Sequence, residues 1–159
     1  MELHKIEITY QRASSIDELS NDDAYLLAKA REVANNAWAP YSGFLVGAVV
    51  ELSNGKIVTG NNQENAAYPS GLCAERVALF AANANYPQSK VKTIAISAFN
   101  SKGQVEGPVK PCGSCRQAIL EAELRFEHPI RLLLDGKNGI NIIDGITNLL
   151  PLSFGKDDL

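Results

Sequence analysis

The chain has 159 residues, 45% of them apolar and 21% charged, which suits a single folded domain over residues 1–159 with a sizeable core. A net charge of −3 argues against a nucleic-acid surface, which shows as a basic patch, and no apolar run approaches the ~20 residues of a membrane span. Residues 1–5 lack the basic-then-apolar layout of a secretion signal, so a cytoplasmic protein is expected.

In chain order, residues 1–20 read as an N-terminal extension, with a loose alternation of Leu3, Ile6, Ile8 and Tyr10 that allows an additional strand over residues 2–10. Asp17, Ser20, Asn21, Asp22 and Asp23 supply capping groups for a helix whose apolar residues are Tyr25, Leu26, Ala30, Val33, Ala34, Ala37 and Trp38. Pro40 is expected to stop it. Residues 44–50 read as a buried strand, Asn54-Gly55 as a tight turn and residues 56–60 as the partner strand. Residues 62–72 form an ordered loop that delivers the chain to an Ala-rich helix over 73–84. A strand over 91–99, a loop over 101–110, a helix over 113–124, two short strands over 130–134 and 140–143 and a helical turn over 146–150 complete the chain. The alternation of helices and strands indicates a central sheet covered by helices.

All three cysteines lie in two short stretches, Cys73-Ala74-Glu75-Arg76 and Pro111-Cys112-Gly113-Ser114-Cys115-Arg116-Gln117. An odd count of cysteines in an unexported protein favours metal or catalysis over disulfides. Three thiolates, Cys73, Cys112 and Cys115, suit one zinc ion per chain and leave a fourth tetrahedral position open, the arrangement of a catalytic site. Both stretches open helices, so two helix N-termini would meet at the ion and lower the thiol pKa values. Glu75, two residues after Cys73, stands beside the metal as the proton carrier, because positions two apart do not share a helix face. Arg76 and Arg116 are placed to hydrogen-bond the sulfurs and reduce their charge, or else make ordinary surface ion pairs. A structural zinc would need His4 or His128, whose spacing does not suggest it. A thioredoxin-like Cys112/Cys115 pair would leave Cys73-x-Glu75 unexplained.

Cys-Ala-Glu followed by Pro-Cys-x-x-Cys resembles the zinc-dependent nucleoside and nucleobase deaminases. Residues 39–48 (Ala-Pro-Tyr-Ser-Gly-Phe-Leu-Val-Gly-Ala), residues 62–68 (Asn-Gln-Glu-Asn-Ala-Ala-Tyr) and Leu149-Leu150-Pro151 with Phe154 extend the resemblance over roughly residues 24–159 to the small homotetrameric cytidine deaminases. That resemblance implies a three-layer α/β/α sandwich with a central five-stranded mixed sheet. It implies zinc-dependent hydrolytic deamination of cytidine and 2′-deoxycytidine in pyrimidine salvage, with Glu75 catalytic. It further implies that Asn62 and Glu64 hold the ribose 3′-hydroxyl, that Phe44 packs on the pyrimidine, and that the Ala74 N–H meets the base carbonyl. Phe154 would reach a neighbouring subunit's pocket in a homotetramer with shared active sites. By periodicity Phe44 reads equally as a core strand residue, Asn62 and Glu64 as loop-stabilising residues, and Phe154 as a plug for its own subunit's core. Nucleic-acid deaminases usually carry His where Cys73 stands. A deaminase of cytosine-nucleoside antibiotics such as blasticidin S shares the three-Cys site, but matches Asn62, Glu64 and Phe154 less well.

Overall fold

The computed structural model describes residues 1–159. Three helices, α1 (Asn21–Ala34), α2 (Ala74–Asn85) and α3 (Gly113–Phe126), accompany seven strands: β1 (Gln11–Ala13), β2 (Leu45–Leu52), β3 (Ile57–Asn61), β4 (Val91–Asn100), β5 (Gly103–Gln104), β6 (Arg131–Leu134) and β7 (Ile140–Asp144). The strands form one mixed sheet in the order β1-β7-β6-β4-β2-β3, with β5 paired to the end of β4. Only β4 and β6 run parallel; the other pairs are antiparallel. The five-stranded sheet expected from the sequence, β7-β6-β4-β2-β3, is therefore part of a seven-stranded one, with β1 added beyond β7 and β5 at the end of β4. The two additions are short, three and two residues, and neither has the length or alternation by which a strand is read from sequence.

Along β2 and β4 successive side chains alternate between two faces, as pleating requires. Ala48, Val50, Ile94 and Ile96 point to the face covered by α2 and α3, within a cluster of 18 buried residues. Val49 and Ala95 point to the other face, where α1 buries Leu26, Leu27 and Ala30 in a cluster of nine. The result is a three-layer α/β/α arrangement. Glycine makes the close helix–sheet contacts: a Cβ on Gly47 would lie 2.1 Å from the Ala30 carbonyl oxygen of α1, and one on Gly60 would lie 2.5 Å from the Ala78 nitrogen of α2. No helix is long and apolar enough to cross a membrane.

Several boundaries differ from the sequence reading. Residues 2–10 form no strand, and pairing to β7 begins only at Gln11. Helix α1 is capped by the Ser20 hydroxyl, which accepts from Asp23 N at 3.1 Å, but it ends at Ala34, well before Pro40. The backbone beyond it is claimed by the neighbouring loop: Trp38 N donates to Asn62 O and Glu64 N donates to Trp38 O. Tyr25 and Trp38, read as core-facing, are 57% and 60% exposed, and Leu27 takes the core position instead.

Candidate active site

Helices α2 and α3 begin at the same corner of the sheet. Cys73 is the N-cap of α2 and Cys112 the N-cap of α3, both with extended backbone and neither side chain bonding the first-turn N–H groups. Cys115 follows in the first turn of α3 and is fully buried. The sulfurs converge: Cys73 Sγ lies 3.7 Å from Cys112 Sγ, Cys112 Sγ lies 3.5 Å from Cys115 Sγ, and all three fall within 4.8 Å of one another. None is disulfide-bonded. Zinc–sulfur bonds of about 2.3 Å in tetrahedral geometry put sulfurs roughly 3.8 Å apart, close to the Cys73–Cys112 and Cys112–Cys115 separations, so the three thiols suit three corners of a zinc tetrahedron.

Electrostatics of the corner follow from crowding three thiols against two helix N-termini. The hydrogen bond from the Cys115 thiol, helped by Arg76, lowers the pKa of Cys73 to about 5. Cys115 is pushed up, because Cys73 uses its proton and burial disfavours the thiolate. Arg76 Nη2 lies 4.0 Å from Cys73 Sγ, as expected for a donor to the ligand sulfur. Its Nε is buried without a partner. Glu75, in the first turn of α2, is only 5% exposed, and desolvation raises its carboxyl pKa, with the Cys73 charge adding to the effect. A carboxyl whose pKa is raised above the ordinary value, in the same helical turn as a thiol ligand, is suited to proton transfer.

A cleft of about 530 Å³ opens beside Cys73 and is lined by Asn62, Glu64, Tyr41, Tyr68 and Arg76, among others. Asn62 and Glu64 are both on its wall, and both are engaged by the chain itself. Asn62 accepts from Val46 N at 2.7 Å and donates to Phe44 O at 2.9 Å, so it stitches the loop to the start of β2. Glu64 accepts from Tyr41 N at 2.9 Å, from Ser42 N at 3.2 Å and from the Ser42 hydroxyl. Those donors, the hydroxyl first, hold its pKa below the usual carboxylate value. Gly43, at φ +64°, makes the turn that brings Ser42 back to the carboxylate. The loop-stabilising reading of both residues is thus realised in the chain, and Ser42 is a site residue that sequence reasoning missed; its place in the Tyr-Ser-Gly turn was the available signal.

The other assigned residues are distributed more widely. Ala74 is buried at the first position of α2. Phe44 is half-buried and immediately precedes β2, outside both core clusters, so it is not a core strand residue. Phe154 is 59% exposed, with its carbonyl oxygen accepting from Gln117 Nε2 of α3 at 2.9 Å; it does not plug its own core. Arg116 does not reach the sulfurs. Its Nε donates to Pro111 O at 2.9 Å and its Nη1 donates to Leu149 O, because the α3 spacing turns the side chain away from the thiols and toward the C-terminal segment. It therefore fixes the backbone next to Cys112 and holds the C-terminal segment against α3.

The zinc-binding region of cytidine and deoxycytidylate deaminases, as a family model, matches residues 20–126, which contain all three cysteines and Glu75. A cytidine deaminase of Mycobacterium tuberculosis is 36% identical over 137 residues, covering 84% of this chain and 90% of the relative. One from Sporosarcina psychrophila is 37% identical over 134 residues, covering 84% and 92%. A crystal structure of cytidine deaminase from Burkholderia pseudomallei has a TM-score of 0.70 at 32% identity and covers 86% of this chain and 100% of that one. With these matches and a three-thiol cluster shaped for one zinc ion per chain, the protein belongs to the cytidine and deoxycytidylate deaminase family, hydrolases that act on carbon–nitrogen bonds of cyclic amidines.

Proposed function

We propose that this chain hydrolyses the exocyclic amino group of cytidine and 2′-deoxycytidine, giving uridine, 2′-deoxyuridine and ammonia, a step of pyrimidine salvage. The observation that carries this reading is that Cys73, one of three converging thiols, lines a cleft whose wall also holds Asn62 and Glu64, while the buried carboxyl of Glu75 follows it in the first turn of α2. Cys73, Cys112 and Cys115 would hold zinc, whose Lewis acidity brings the ionisation of water toward neutral pH.

Glu75 then manages the protons. It takes one from the attacking water and passes it to ring N3, which makes C4 electrophilic. After oxygen has added to C4, it delivers the second water proton to the amino nitrogen, which departs as ammonia with the electron pair of the broken C4–N bond. Its pKa, raised by burial, favours the proton uptake with which this cycle begins. Arg76 offsets thiolate charge at Cys73. The Ala74 N–H, at the positive end of α2, is proposed to meet the base carbonyl.

Hydrogen-bond accounting supports a sugar hydroxyl at Asn62 and Glu64. A carboxylate offers about four acceptor sites and an amide nitrogen two donors. Glu64 uses three acceptor sites within the chain and Asn62 one donor, so each keeps one valence. A hydroxyl that accepts from Asn62 Nδ2 and donates to Glu64 completes both. Phe44 would pack on the pyrimidine. Phe154, exposed on the C-terminal segment, would enter the pocket of a neighbouring subunit in a homotetramer.

The test is incubation of the purified protein with cytidine, 2′-deoxycytidine, cytosine, blasticidin S and a short cytosine-containing oligonucleotide, following loss of the amino group. Conversion of the two nucleosides alone is expected. Turnover of the antibiotic in preference to them, or of the oligonucleotide, overturns the assignment. Sedimentation tests the assembly: a fully active monomer removes any role for Phe154 in a neighbour's site.

A further inference from the structure

Residues 1–10 lie ahead of the family-matched region and outside every secondary-structure element. They make no backbone hydrogen bond, yet they lead straight into β1, the outermost strand of the sheet on its side. Lys5 Nζ donates to Glu7 Oε1 at 2.6 Å, and in a strand these two residues share one face. On the opposite face stand Ile6, Ile8 and Tyr10, 52%, 53% and 52% exposed. An apolar strand edge with free N–H and C=O groups is a template for pairing with another chain.

We infer that residues 3–13 pair antiparallel, across a two-fold axis at Ile8, with the same residues of a second copy of this chain, extending both sheets into one. The sequence is self-complementary in that register alone. Centring on Ile8 sets Ile8 against Ile8, Ile6 against Tyr10 and Tyr10 against Ile6, places Glu7 opposite Thr9 and Lys5 opposite Gln11, and at the ends puts Leu3 opposite Ala13 and His4 opposite Arg12, so that no two carboxylates face each other. Centring on Glu7 opposes two carboxylates. Centring on Ile6 sets Ile8 against His4 and Tyr10 against Glu2, and centring on Thr9 sets Ile6 against Arg12. A register shifted by one residue or two thus loses apolar matches or creates a repulsion, which is how alternation specifies pairing. The unpaired edge of β1 continues the same ladder without a break.

Cross-linking in the full-length protein reads the register directly. In an antiparallel pair, directly opposed Cα atoms lie about 4.5–5.5 Å apart, inside the range of roughly 4.4–6.8 Å that a disulfide spans. Ile8→Cys is therefore expected to give a covalent dimer on a non-reducing gel after mild oxidation. Thr9→Cys, whose copies would be offset along the strands by two residues of rise and stand about 8 Å apart, should behave like the wild type, whose native cysteines serve as the background. Ile8→Asp should weaken association at least 10-fold in sedimentation, with thermal unfolding unchanged as the control. Equal cross-linking at positions 8 and 9, or none at either, overturns the pairing. That result is independent of the homotetramer reading, which fails on the measured mass of the assembly whether or not residue 8 cross-links.

Discussion

The thiol corner and the Asn62–Glu64 side of the cleft, proposed to take the sugar and hereafter the sugar side, are neighbours built on opposite principles. On the sugar side both Asn62 and Glu64 are engaged: Asn62 binds the chain on either side of the start of β2, and Glu64 takes three donors from the Tyr41-Ser42 turn. At the thiol corner the groups are in tension, with three thiols within 4.8 Å, a buried Glu75 whose charged form is disfavoured, and an Arg76 Nε that has no partner. The sugar side is a preorganised surface that loses little on receiving a hydroxyl. The thiol corner stores its electrostatic demand at the place where charge develops during reaction. Loss of one group should therefore be graded on the sugar side and near-complete at the thiols.

Cys115→Ala is expected to have the largest effect. It removes the fully buried thiol from a three-ligand site, so zinc content should fall to background and activity with it, as elemental analysis and an assay on one preparation would show. Retention of stoichiometric zinc would mean that the cluster is held by other groups. Next comes Glu75→Gln, nearly isosteric and still buried. Zinc and substrate affinity should persist, while kcat falls by about 10⁴ or more, the upper end for one acid–base group, because several successive proton transfers use it. If zinc leaves with the carboxylate, Glu75 is a ligand.

Sharper discrimination comes from Ser42→Ala, which keeps the fold and removes one donor from Glu64. One hydrogen bond is worth about 1 kcal/mol, so KM should rise about 5-fold with kcat little changed, and 3′-deoxycytidine, which lacks the hydroxyl, should show no such rise. A fall in kcat alone would disconnect Ser42 from substrate binding.

The smallest effect concerns Glu123, which lies far from the cleft. It is 8% exposed, and its Oε1 accepts from Ile130 N and Ile146 N at 2.8 Å each, tying α3 to β6 and to the turn after β7. Burial raises its pKa against those two donors. A carboxyl with a raised folded pKa gives stability that is fully present below its unfolded value, about 4.3, and is lost as pH rises through the folded value. Glu123→Gln keeps the acceptor and removes the charge, so its Tm relative to wild type should increase between pH 4 and pH 7. A flat difference would show that the carboxyl titrates at its ordinary value. Glu123→Ala, by contrast, strands two buried N–H groups and should cost about 2–4 kcal/mol at low pH, where the wild-type contribution is fully present.

Sequence by itself determined the elements whose signal is local. Helix α2 and helix α3 start at the two cysteine stretches read to open them, and the β2–β3 hairpin turns at Asn54-Gly55, because helix starts, glycine turns and apolar periodicity act over a few residues. The cysteines were legible as one site for the same reason: their spacing and residue type already state a ligand set, and the fold had only to bring two helix starts together. What lay beyond local signals went to the tertiary structure. It ended α1 six residues before Pro40, because the loop at Asn62 and Glu64 claims the Trp38 backbone. It added β1 and β5, which are strands only through the partners they meet in β7 and β4. It turned Arg116 from the sulfurs to the carbonyls of Pro111 and Leu149, and gave Glu64 its partner in Ser42, 22 residues away. Side-chain partners are chosen by distance in space, and a chain read along its length carries the donors and acceptors without saying which of them will meet.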